Sequence, residues 1–256
     1  MKKRILASIG LISCSLLLAL PSYAEESSLS EKGKIEFAGE YKTEIHDPEK
    51  PDEIVEPDDP ITPVGGDLRL EHVPTLDFGY NKITKEEATY FTKAQTFRND
   101  ASLVRANYVQ LSDYRTNNGG WTLTVKQEHQ FRNQTDTNLE LTGAQLSFDK
   151  AWISSTNANI TDSEKPTVKY EAYDMVPGGD AYEVAKAEKG VGGGTWMISF
   201  GSSGETEGIL NTLFETTDPK GTYMKNNAVS LTIPGETIIK PVKYQTVLTW
   251  TLSELP

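Results

Sequence analysis

The sequence predicts an all-β protein, an antiparallel β-sandwich or barrel-like domain, on three observations. Short β-prone runs recur between residues 68 and 252, separated by Gly, Asn, Asp and Pro. No long run with the 3.6-residue helical period competes with them. Two stretches, Trp121-Thr122-Leu123-Thr124-Val125 and Leu248-Thr249-Trp250-Thr251-Leu252, alternate between apolar and hydroxyl side chains, which puts Trp and Leu on one face of a strand. A domain of about 190 residues, 67–256, is large enough to bury a core without disulfide staples.

Taken in order, Met1-Lys2-Lys3-Arg4, the apolar run 5–20 and Pro21-Ser22-Tyr23-Ala24 read as a signal peptide, residues 1–24, cleaved after Ala24. The run falls short of the roughly 20 apolar residues that span a bilayer. Cys14, the only cysteine, lies in Leu11-Ile12-Ser13-Cys14, but the hydrophobic residues after it argue against a lipidated start. The mature chain is therefore expected to have no disulfide and no thiolate chemistry. Loss of Lys2, Lys3 and Arg4 leaves 22 basic against 37 acidic residues, a net charge near −15. That balance disfavours nucleic acid and bare anionic polymers, which select clustered Lys and Arg.

Residues 25–45 hold one candidate strand, 34–41, with Ile35, Phe37 and Tyr41 on a common face. Residues 46–66 read as an acidic, proline-rich linker. Five prolines between Asp47 and Pro63, each lacking an N–H donor, stand among repeated carboxylates, so the segment is expected to be extended and open to proteolysis without loss of the main body. The same prolines obstruct the wrapping that a Ca²⁺ loop requires, and no metal or cofactor is expected. Beyond Gly65-Gly66, strands are expected near 68–73, 102–111, 121–131, 144–153, 167–173, 195–200, 228–233 and 245–252. Residues 85–93 are ambiguous between helix and strand, and 181–189 are expected to form a short helix. Gly190-Val191-Gly192-Gly193-Gly194 lacks the Gly-Lys-Ser/Thr of a phosphate loop and is expected to turn the backbone tightly ahead of Trp196.

No catalytic constellation is legible. His46, His72 and His129 share no metal-ligand spacing, and no nucleophile-elbow pattern occurs. The aromatic residues carry more information: Trp121, Trp152, Trp196 and Trp250 all fall in expected strands. An indole alternating with Leu on one strand face is better read as core than as ligand contact. The functional alternative is a shallow platform of Trp121, Leu123, Trp250 and Leu252 on which a sugar ring stacks, with Asn117, Asn118 and Gln127 supplying hydrogen bonds.

Four ordered pieces together resemble the WxL-domain family of Gram-positive surface proteins. They are Val73-Pro74-Thr75-Leu76-Asp77-Phe78-Gly79 as the opening strand, Asp113-Tyr114-Arg115, the first Trp121-Thr122-Leu123, and Tyr244 leading into Leu248-Thr249-Trp250-Thr251-Leu252. Asp113-Tyr114-Arg115 departs from the pattern, with Thr116 where Gly is expected. The resemblance implies a secreted, non-enzymatic protein attached non-covalently to the cell wall, to peptidoglycan, alongside other WxL-type or membrane-anchored surface proteins. An interaction subunit retained at the wall through such a partner is the alternative. A host extracellular ligand stays open.

Overall fold

The computed structural model describes residues 43–59 and 63–255. The signal peptide and the strand expected at 34–41 lie outside the described residues. In chain order the strands are β1 (His46–Asp47), β2 (Lys50–Ile54), β3 (Val64–Gly65), β4 (Leu68–His72), β5 (Ala88–Lys93), β6 (Gln95–Thr96), β7 (Val104–Arg105), β8 (Asn107–Asp113), β9 (Trp121–Gln127), β10 (Gln145–Phe148), β11 (Ala151–Ser155), β12 (Thr167–Val168), β13 (Tyr173–Asp174), β14 (Tyr182–Ala187), β15 (Gly194–Phe200), β16 (Leu213–Asp218), β17 (Gly221–Ile233) and β18 (Leu248–Glu254). One 3₁₀ turn, Asp162–Glu164, is the only helical element among the described residues. The fold is an antiparallel sandwich.

One layer is the sheet β11-β15-β8-β4-β3. It faces two sheets, β13-β10-β17-β16 with β5 also on β17, and β12-β14-β9-β18. Their inner faces meet in a single core that includes Val109, Leu111, Trp121, Leu123, Leu146, Phe148, Trp196, Ile198, Phe200 and Val229. Period two accounts for it: along β9, Trp121, Leu123 and Val125 are fully buried while Thr122, Thr124 and Lys126 are not. The three sheets touch at a cluster of rings. Phe148 lies 4.8 Å from Phe200 and 6.0 Å, edge to face, from Trp250, and these come from β10, β15 and β18.

The largest departure from expectation is the proline-rich segment. Residues 43–59 are not an extended linker; β1 and β2 pair as a hairpin that lies on the outer face of β11-β15-β8-β4-β3. Its carboxylates have partners. Asp47, fully buried, receives both Nε and Nη2 of Arg105 at 2.7 and 2.6 Å, and Glu49 accepts from the Ser203 amide at 2.6 Å. Ser154 Oγ donates to the Pro48 carbonyl at 2.7 Å. Ile45 and Val55 pack with Phe97, Tyr108 and Met197. The prolines sit where no N–H is required, so the hairpin forms despite them.

Two smaller expectations also change. Residues 181–189 form no helix: β14 runs from Tyr182 to Ala187 and pairs with β9, because burying Val184, Ala185 and Ala187 outweighs the helical preference of Ala, Glu and Lys. Val73-Pro74-Thr75-Leu76-Asp77-Phe78-Gly79 is a loop, since the strand ends at His72, one residue before the Val-Pro pair. The ambiguous segment 85–93 contains β5.

Candidate functional site

The two Trp-x-Leu strands are hydrogen-bonded neighbours. β18 pairs antiparallel with β9, setting Trp250 opposite Val125, Leu252 opposite Leu123 and Glu254 opposite Trp121. The shared face therefore continues across both strands as one apolar stripe on the core.

The sequence signals gather at one end of this sheet. Asp113, almost fully buried at the end of β8, holds Arg115 in a two-point ion pair at 2.9 and 2.8 Å. Arg115 passes that orientation on, donating Nη2 to the Gly120 carbonyl at 2.8 Å and placing Nη1 2.8 Å from Glu254 of β18. The Leu255 amide reaches the same Gly120 carbonyl at 3.2 Å. Gly120 must be glycine: at φ +80 an added Cβ would lie 2.5 Å from the Ala187 carbonyl oxygen. Asp113 and Arg115 thus fasten the turn before the first Trp-x-Leu strand to the end of the second.

The glycine-rich loop completes this end. Trp121 Nε1 donates to the Gly192 carbonyl at 3.0 Å, and Trp196 Nε1 to the Gly193 carbonyl at 3.2 Å. At Gly192, φ +79, an added Cβ would stand 2.4 Å from Ala187 Cβ and 2.7 Å from Trp121 Nε1. The loop does turn the backbone ahead of Trp196, and its carbonyls also satisfy two indoles. That second role has no periodic signature in the sequence.

A family model described as WxL domain surface cell wall-binding matches residues 24–256. The chain belongs to this family. The WxL domain places the protein at the bacterial cell surface, on the wall, and the family is one of wall-binding domains rather than enzymes. No curated protein and no solved structure matches the chain.

Within the WxL domain the expected site residues divide sharply. Trp121, Leu123 and Gln127 are fully buried, and Gln127 donates to the His129 carbonyl and to Thr246 Oγ1. Gln127 therefore offers no surface contact, and Trp121 and Leu123 provide no open platform: all three point inward on the buried parity of β9. Trp250 and Leu252 are half-buried against the core. Asn117 is exposed, 3.4 Å from Glu254, and Asn118, half-buried at φ 39, accepts from the Gly190 amide through its carbonyl. The motif serves the sheet first.

That division makes the two indoles unequal. Trp121→Phe is expected to cost about 2–3 kcal/mol, because it empties volume in the core and leaves the buried Gly192 carbonyl without its donor. Trp250→Phe is expected to cost about 1 kcal/mol or less, since the ring is half-exposed and its N–H has no partner among the described residues. The urea midpoints of the two variants check the order.

Proposed function

We propose that this WxL protein is held on the wall by direct, non-covalent contact with peptidoglycan and performs no chemistry there. The observation that carries the reading is the family match across residues 24–256. Because Trp121 is buried and Trp250 packs partly on the core, this reading assigns the contact to polar surface near them, with Asn117 and Asn118 at the motif end. A cleft of about 470 Å³ supports the same reading, lined among others by Asn138, Glu140, Thr142, Thr237 and Lys240. Amide, hydroxyl and charged groups around a shallow hollow suit a sugar–peptide polymer. In the test, mature protein is sedimented with protein-free peptidoglycan and is expected to pellet with it.

A second reading, retention through another surface protein, has one specific observation in its favour. Hydrogen-bonded and open positions alternate along an antiparallel strand. Glu128 N–H donates to the Val247 carbonyl and Leu255 N–H to that of Gly120, so the backbone groups of Leu248, Trp250 and Leu252 turn away from β9. β18 ends its sheet, and these groups pair with no other strand among the described residues. The strand carries neither Lys nor Pro, the usual guards of an open edge. An extended segment of a partner would add there as a further strand. Protein that stays in the supernatant with bare peptidoglycan, yet pellets with walls retaining their proteins, favours this reading over the first.

A further inference from the structure

The outer face of β11-β15-β8-β4-β3 has the side chains of a wet surface, yet it is covered. Gln110 and Ser112 are fully buried, and Glu71 and His72 are 2 % exposed. An antiparallel sheet normally turns such a face to water. Here the hairpin of residues 43–59 lies on it and bonds mainly through polar groups. The His46 amide donates to Gln110 Oε1 at 2.8 Å, Gln110 Nε2 donates to the Glu44 carbonyl at 2.7 Å, and Ser154 reaches Pro48. Asp47 holds Arg105, and Glu49 holds Ser203. Its buried apolar side chains are Ile45 and Val55, with Pro48 and Pro57 beside them.

Beneath it sits a buried histidine, His72. The His72 ring lies 4.8 Å from that of Tyr108, which packs under Ile45 and Val55. Both His72 ring nitrogens are buried without a hydrogen-bond partner among the described residues, as are the hydroxyls of Tyr108 and of Ser199, the residue opposite Tyr108 on β15. We propose that residues 43–59 form a releasable clasp over this polar face, latched while His72 is neutral and opened when its ring takes up a proton.

Asp59, at the end of the clasp segment, favours the charged imidazole, as does Gln95 on β6, although no hydrogen bond of normal geometry reaches the ring. Glu71, on the same strand, is occupied by Arg69, Gln110 and Ser112. Asp47 and Arg105, which act on Tyr108, neutralise each other. Burial outweighs Asp59 and Gln95 and holds the ring near pKa 4, against 6.5 for a free imidazole. Above pH 6.5 neither the closed nor the open state binds the proton, and the clasp is fully latched. As pH falls from 6.5 to 4 only the open state takes it up; below 4 both do, and this group adds nothing more. From pH 7 to pH 4 the opening equilibrium therefore rises by about 100-fold.

Hydrogen-exchange protection factors of the mature protein, corrected for the intrinsic pH dependence of exchange, provide the test. The amides of His46 and Asp58, which donate to Gln110 and to the Thr96 carbonyl outside the clasp, are expected to lose about 100-fold in protection between pH 7 and pH 4, while those of β9 and β15 keep theirs. His72→Phe, which keeps a ring on Tyr108, and His72→Gln should each abolish the loss in whichever variant retains native protection in β9. Clasp amides insensitive to pH would overturn the proposal. So would an equal loss in the His72 variants, or a loss shared by β9 and β15.

Discussion

Trp121→Ala is expected to lower the stability of the domain by about 3–5 kcal/mol, the range for removing a large aromatic ring from a packed core. Trp121 is fully buried, and its indole both fills the core at the motif end of the sandwich and anchors the Gly192 carbonyl. Ala187 and the glycine loop wall the site, so the lost ring leaves a cavity. Against a total of about 5–15 kcal/mol for a typical domain, that loss leaves a partly unfolded population at ordinary temperatures. Urea unfolding should show a lowered midpoint with an unchanged slope. Trp250→Ala, at a half-buried position on the end strand, should cost less than half as much; equal costs would mean that the two indoles are energetically alike.

The second large effect concerns the hairpin. Arg105→Ala leaves the fully buried Asp47 carboxylate without its two-point partner, and breaking such a pair from one side costs about 3–5 kcal/mol. The hairpin can escape this cost by undocking, so the damage should be local. Cleavage within residues 48–59 is the expected readout, with the unfolding midpoint of the remaining sheets little changed. Replacing both partners by apolar residues of similar size, Asp47→Leu with Arg105→Met, should recover most of the docking, because the penalty lies in the unpaired charge. A double variant as open to protease as Arg105→Ala would show that the pair itself holds the hairpin.

The sandwich was legible because β9 and β18 alternate apolar and hydroxyl residues with a period of two. β9 and β18 repeat the same alternation, and their shared parity is what lets Leu252 sit opposite Leu123 on one face. The tight turn before Trp196 was legible from its glycines. Residues 46–59 were not, for a physical reason: composition reports what a segment lacks, and the partners of Asp47, Glu49 and His46 stand at Arg105, Ser203 and Gln110, remote in sequence. β14 was misread because Ala, Glu and Lys favour a helix locally while β9 offers a buried ladder. Among the candidate site residues, the alternation that placed Trp121 and Leu123 in the core also buries Gln127, two turns of the same pleat further on. Asp113 and Arg115 became meaningful only with Gly120 and Glu254 beside them.

The central claim is that the Trp-x-Leu motif builds the wall-binding domain and is not itself the surface that grips the wall. It is tested most directly by measuring, for wild type, Trp121→Phe and Trp250→Phe, the fraction pelleted by protein-free peptidoglycan against the fraction folded at the same temperature. All three proteins are expected to fall on one line, with binding lost only in proportion to unfolding. A Trp250→Phe variant that melts like wild type yet fails to pellet would contradict the claim and make that indole part of the binding surface.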